Sequence, residues 1–169
     1  MDSIFDTWKT KIPNYAESFQ KELFDLLSQT GGGAEKSKID LGKHFANNYE
    51  FYMYAFFLGL YRDERTDIED KKKNFKHAIQ FWGSKTGVSY RKDFTKLQDF
   101  VFMACIAKTE DLDLIALEKG EIDEKEVIRQ LLDTMEEYTN GGLTLIKEKL
   151  EDNPSFFLQP TGFMDFILG

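Results

Sequence analysis

The chain has 169 residues, 41% of them hydrophobic and 31% charged, with 30 acidic against 22 basic side chains and a net charge of −8. That balance fits a soluble globular chain with an aromatic core, given its 16 Phe, 7 Tyr and 2 Trp, and excludes a disordered or fibrous one. The negative charge opposes general affinity for nucleic acid or anionic membrane.

In chain order, Ile4, Phe5, Trp8 and Ile12 space as a short amphipathic helix before Pro13. The N-terminus lacks the basic start and continuous apolar run of a signal peptide, and no segment reaches membrane-spanning length, so no membrane segment is expected. Ala16, Phe19, Leu23, Leu26 and Leu27 keep three-and-four spacing and predict a helix over Asn14 to Thr30, ended by Gly31, Gly32 and Gly33. A polar linker to about Lys38 follows. Asn47 with Glu50 reads as a capping pair for a helix from Tyr49 to Tyr61, YEFYMYAFFLGLY, which is apolar enough to be buried on every side yet too short to cross a bilayer.

From Arg62 to Lys92 no sustained period appears, so this is a long excursion pinned by Phe75, Ile79, Phe81 and Trp82. Asp93 is placed to cap a helix running to Lys108, with Phe94, Leu97, Val101, Ala104 and Cys105 inward. Leu112 to Lys119 predicts a short helix closed by Gly120. Asp123 with Glu126 caps a helix over Glu124 to Tyr138, which Asn140, Gly141 and Gly142 end. Leu143 to Leu150 is a last regular helix, followed by a tail broken by Pro154 and Pro160 whose Phe163, Met164, Phe166, Ile167 and Leu168 look exposed. No strand pattern is long enough for a sheet. The expected fold is all-α: a single-domain helical bundle over 1–169, built around the aromatic helix, with 1–46 an N-terminal helical extension and 47–169 the core.

Reactive constellations do not emerge. His44 and His77 lack a second His or Cys at metal-ligand spacing, and the glycines precede no Gly-Lys-Ser/Thr loop. Glu110, Asp111 and Asp113 lack calcium-loop spacing and suit the start of the next helix. Cys105, the only cysteine, lies in the apolar run FVFMACIA, which excludes an internal disulfide, disfavours a reactive thiolate and points to a reducing, cytoplasmic setting. No catalytic residue, metal site or cofactor is expected.

Two charged regions remain as candidates. Arg62, Glu64, Arg65 and Asp67 follow the buried helix and are placed to rim a pocket, the basis of an enzyme reading. Lys71, Lys72, Lys73, Lys76, Arg91 and Lys92 alternate with Trp82 and Tyr90, the mixture that holds phosphates and stacks bases, the basis of a nucleic-acid reading. Against this basic block stands an acidic run from Glu110 to Glu137 with eleven acidic and three basic residues.

Two further stretches, AFFLGLYRDERTDI at Ala55 to Ile68 and the group Glu137, Tyr138, Asn140, Gly141, Gly142 and Leu143, resemble the DNA phosphorothioation-associated (dnd system-associated) protein 4 family. The resemblance covers roughly 44–168; the longer Arg62 to Lys92 excursion and the extension before Asn47 depart from it. It implies a bacterial antiviral-defence setting based on modified DNA and a partner-binding accessory role, and it establishes no catalytic residue. Together these features lead to a non-enzymatic accessory or adaptor that works through a protein partner or a second copy of itself, using the acidic face and apolar tail. Nucleic-acid binding and a small enzyme are the alternatives.

Overall fold

The structure is a computed structural model that describes residues 3–28, 45–84 and 93–169. It is all-α, with one small two-stranded sheet among the described residues. Packing divides the chain into two compact units: Met1–Asn14 with Asn74–Glu136, and Tyr15–Lys73 with Glu137–Gly169.

In the first unit, α1 (Ile4–Lys9) starts at a reciprocal cap in which Asp6 N–H donates to Ser3 Oγ (3.1 Å) and Ser3 N–H to the Asp6 carboxylate (3.3 Å). Its Phe5 and buried Trp8 pack on Phe102 at ring separations of 5.0 and 5.3 Å. Lys11 O accepts from Ile79 N–H (3.0 Å), which ties a 3-10 turn, Ile79–Phe81, to this segment. Helix α4 (Lys96–Lys108) buries Gln98, Val101 and Cys105, and Gln98 Nε2 donates to Trp82 O (2.6 Å). Asp93 does not cap it. Its Oδ1 accepts from Thr95 N–H (3.0 Å) and Oγ1 (2.7 Å), a local turn that forms before the helix begins. Helix α5 (Leu114–Glu118) is capped by Asp113, which accepts from Ala116 N–H (2.8 Å), and is closed by Gly120 at φ 73°.

The chain departs from expectation where the first unit passes into the second in sequence. Asn14 to Ala16 is not helix but the strand β1, paired with β2 (Lys72–Asn74). Phe75 N–H reaches Pro13 O (3.4 Å) and Glu17 N–H reaches Lys71 O (2.8 Å), which makes the pairing antiparallel. Tertiary partners have taken the backbone donors that a helix would need. Residues Gln20–Phe24 then form a π-helical turn that runs into α2 (Asp25–Leu27), with Leu23, Phe24 and Leu27 buried. The predicted end at Gly31 to Gly33 and the linker lie outside the described residues.

Helix α3 (Asn48–Arg62) buries Phe51, Tyr52, Met53, Ala55, Phe56, Leu58 and Gly59, but Tyr61 is 65% exposed, so burial on every side holds only for the middle turns. Asn47 sits at the N-cap without accepting a bond; Glu50 instead accepts from Ala46 N–H (3.0 Å). Asp63, at φ 53°, ends the helix in the left-handed region, with Glu64 N–H donating back to Gly59 O (2.8 Å).

The largest correction concerns Asn140, Gly141 and Gly142. They do not end a helix: α6 runs unbroken from Glu124 to Asp152, absorbing both predicted helices. A Cβ on Gly142 would overlap Ala55 O, one on Gly59 would overlap Tyr138 O and lie 3.0 Å from Gly142 N, and one on Gly141 would overlap Glu64 O. These glycines let backbone touch backbone; packing outweighs the roughly 1 kcal/mol per residue that glycine costs inside a helix. The tail is exposed only in part: Met164 and Leu168 are 60% and 66% exposed, as expected, whereas Phe163 and Phe166 are half-buried. Phe157 is buried and stacks on Phe163 (4.4 Å), Phe166 lies 5.5 Å away, and Tyr54 Oη donates to Phe163 O (2.6 Å), which docks α7 (Gly162–Leu168).

Candidate functional site

The second unit gathers Arg62–Asp67 and the Glu137–Leu143 group in one place, because α3 and α6 cross at their glycines and the chain leaving α3 runs along α6. Thr66 N–H donates to Glu137 O (3.2 Å), and Arg65 Nε bonds the Glu137 carboxylate while its guanidinium lies 5.7 Å from the Tyr138 ring centre. Asn140 Nδ2 donates to Thr66 Oγ1 (2.9 Å), Asp67 O (3.0 Å) and Thr66 O (3.4 Å). Arg62 Nη2 donates to Phe166 O (2.6 Å), and its guanidinium lies over that ring at 5.5 Å. The four residues read as a pocket rim therefore have separate surroundings: Arg62 latches α7, Arg65 latches α6, and Glu64 presses its backbone on Gly141. Of the four, Asp67 lines a cleft of about 510 Å³ together with Thr66, Glu69, Asp70, Asn140 and Thr144.

The basic-aromatic segment is split. Lys71, Lys72 and Lys73 are exposed on or beside β2, and Lys71 pairs with Glu17 at 3.5 Å. Lys76 is exposed in the first unit. Trp82 is 2% exposed, its indole N–H donating to His77 O (3.3 Å), so its ring is a core element and not a stacking platform. Tyr90, Arg91 and Lys92 lie outside the described residues, as does His44.

In the first unit a different surface stands out. On α4, Phe100 is 50% and Met103 63% exposed, one turn apart, while the inward Val101 and Cys105 are buried. On α5, Ile115 is 66% exposed. The same unit exposes Glu110, Asp111, Glu118, Glu121 and Asp123. Glu126 and Asp133 are partly neutralised by Arg129, at 2.5 and 3.1 Å. The hydrogen bond from Arg129 holds the Glu126 carboxyl below its ordinary range. Sequence spacing had assigned α4 one apolar face; its second, Phe100 with Met103, was visible in the same heptad as apolar residues outside the inward set.

Cys105 is fully buried, and burial pushes its thiol well above the ordinary value, which keeps it protonated and unreactive. Among the described residues no group of three or more His, Cys, Asp or Glu is arranged to hold a metal ion, and no helix is long and apolar enough to cross a membrane. The chain matches no protein-family model, no curated protein and no solved structure.

Proposed function

We propose that this protein is a non-enzymatic accessory protein that holds a protein partner through the apolar and acidic surface of its first unit. The observation that carries the reading is the exposed pair Phe100 and Met103 on α4. Leaving a large apolar side chain in water forfeits about 1.5–3 kcal/mol of burial, and aromatic residues and methionine are the types that interface centres use. The exposed carboxylates of Glu110, Glu118, Glu121 and Asp123 in the same unit favour a partner segment that carries lysine or arginine around apolar anchors. The resemblance at Ala55 to Ile68 and Glu137 to Leu143 suggests the setting, bacterial antiviral defence based on phosphorothioated DNA.

Light scattering after size exclusion, with the chain alone and mixed with the products of neighbouring genes, tests this. The expected result is a stoichiometric complex, or a dimer, that Phe100→Glu and Met103→Glu each abolish. A strict monomer that forms no complex, or a complex that withstands both substitutions, overturns the proposal. Among the described residues the nucleic-acid alternative retains the exposed lysines of the 71–76 segment and Phe81, which is 55% exposed. Fluorescence anisotropy with labelled DNA at two salt concentrations would raise it again if binding is saturable and falls steeply with salt.

A further inference from the structure

The outward side chains of α4 form a single stripe. At about 100° per residue, Lys96, Phe100, Met103 and Ala107 fall within about 60° of one another around the helix axis. All four are exposed, whereas Val101 and Cys105 on the opposite side are buried. Alternating steps of three and four residues are the pattern of a seam that receives a second helix. Asp99 and Lys108, also exposed, flank the stripe on its two sides.

Along its length the stripe changes sign of charge. Lys96 opens it, and the chain just past Ala107 carries Glu110 and Asp111, both exposed and in the same unit. None of these three forms an ion pair among the described residues. Such a stripe is complementary to its own reverse. When two α4 helices lie antiparallel about a twofold axis between Phe100 and Met103, Phe100 of one copy faces Met103 of the other, and Lys96 faces Ala107. The first pairing sets a thioether against an aromatic ring on each side of the axis, a favourable contact. The second lays the hydrocarbon stem of Lys96 over the smallest side chain of the stripe. Helical side chains lean toward their own N-terminus, so the Lys96 ammonium is carried past Ala107 toward Glu110 and Asp111 of the other copy. Parallel pairing would instead set Lys96 against Lys96 and carboxylate against carboxylate.

We propose that α4 is the contact of a symmetric antiparallel dimer, in which a second copy of this chain covers Phe100 and Met103. The inference rests on the reading of that face as an interface and names what fills it. Analytical ultracentrifugation of the full chain at low salt, from micromolar to millimolar concentration, tests it. The expected result is a reversible monomer–dimer equilibrium that Phe100→Glu abolishes. Lys96→Glu should weaken the dimer by about tenfold, because two attractive contacts become repulsive. Glu110→Lys/Asp111→Asn should weaken it similarly, with Asn chosen because it accepts the left-handed backbone of position 111, φ 55°. The triple variant carrying all three changes should regain most of the wild-type affinity, which an exchange of charges within this chain cannot do for a different partner. A chain that stays monomeric throughout overturns the proposal, as does a dimer that the triple variant fails to restore. A monomer that still forms a complex with a neighbouring gene product, lost in Phe100→Glu, excludes the second copy and leaves the face an interface; a monomer that binds nothing removes both.

Discussion

In the second unit α3 and α6 approach until backbone meets backbone, whereas in the first unit side chains fill the space between elements. Gly59, Gly141 and Gly142 have carbonyl oxygens where a Cβ would be. In the first unit Trp8, Phe102, Trp82 and Gln98 form the contacts, and Phe100 and Met103 are left outward. The difference is one of tolerance. A side-chain core accepts changes that conserve volume, but a backbone contact accepts no added atom. The second unit is therefore the more tightly specified at this crossing, although both units leave large apolar side chains exposed.

Alanine at two glycines breaks or sharpens that contrast. Gly142→Ala would ordinarily stabilise a helix interior by about 1 kcal/mol. Here the added methyl meets Ala55 O, an atom that cannot move without displacing α3, so the expected outcome is a loss of about 3 kcal/mol. Urea unfolding measures the size, and amide exchange should show protection lost from Phe51 to Gly59 and retained from Val101 to Cys105. A neutral or stabilising result would mean that the two helices do not touch at this point. In the first unit, Gly120 has φ 73° and open space around its Cβ direction. Gly120→Ala therefore carries only the left-handed backbone penalty, about 1 kcal/mol, with no clash added.

The same contrast explains what the sequence disclosed. Local signals sufficed where local chemistry decides: the all-α class, the helix over Ile4–Lys9, the Asp113 cap and Gly120 end of α5, and the aromatic helix itself. Asn140-Gly141-Gly142 misled because glycine has two uses, positive φ and close approach, and only the position of α3 reveals which applies. Asn14 to Ala16 misled for a related reason: helical spacing was present, but Glu136 accepts both Asn14 N–H and Nδ2 at 2.9 Å from 122 residues away. Of the candidate sites, the charged residues after α3 were legible as a group, but their partners were not. That Arg65 meets Glu137, and that Asn140 joins Asp67 in a cleft, depends on a helix crossing that no window of sequence contains.

Smaller effects separate the units further. Asp113→Ala removes the acceptor for Ala116 N–H and should cost about 1 kcal/mol, confined to α5. Its measure is the loss of exchange protection at Ala116 to Glu118 with the second unit unchanged; a loss spread over both units would show that α5 supports more than itself.

A further effect belongs to alkaline pH and falls on the second unit, which holds every described tyrosine. Tyr15 is buried, its hydroxyl donating to Gln20 Oε1 (2.5 Å). Burial, reinforced by the Asp25 and Glu17 carboxylates, pushes its pKa up to about 12. An unfolded tyrosine titrates near 10. Between these values the native state holds the proton more tightly than the unfolded one, so the stability that Tyr15 confers is fully present below about pH 10 and lost as pH rises through about 12. Tyr54, raised by burial in the same way, moves stability in the same direction, so the wild-type curve alone cannot isolate Tyr15. The difference between wild type and Tyr15→Phe can. The variant should be less stable near neutrality, where it lacks the bond to Gln20, and the gap should narrow steadily above pH 10. A gap that stays constant to pH 12 would mean that the Tyr15 hydroxyl is solvated in the native state.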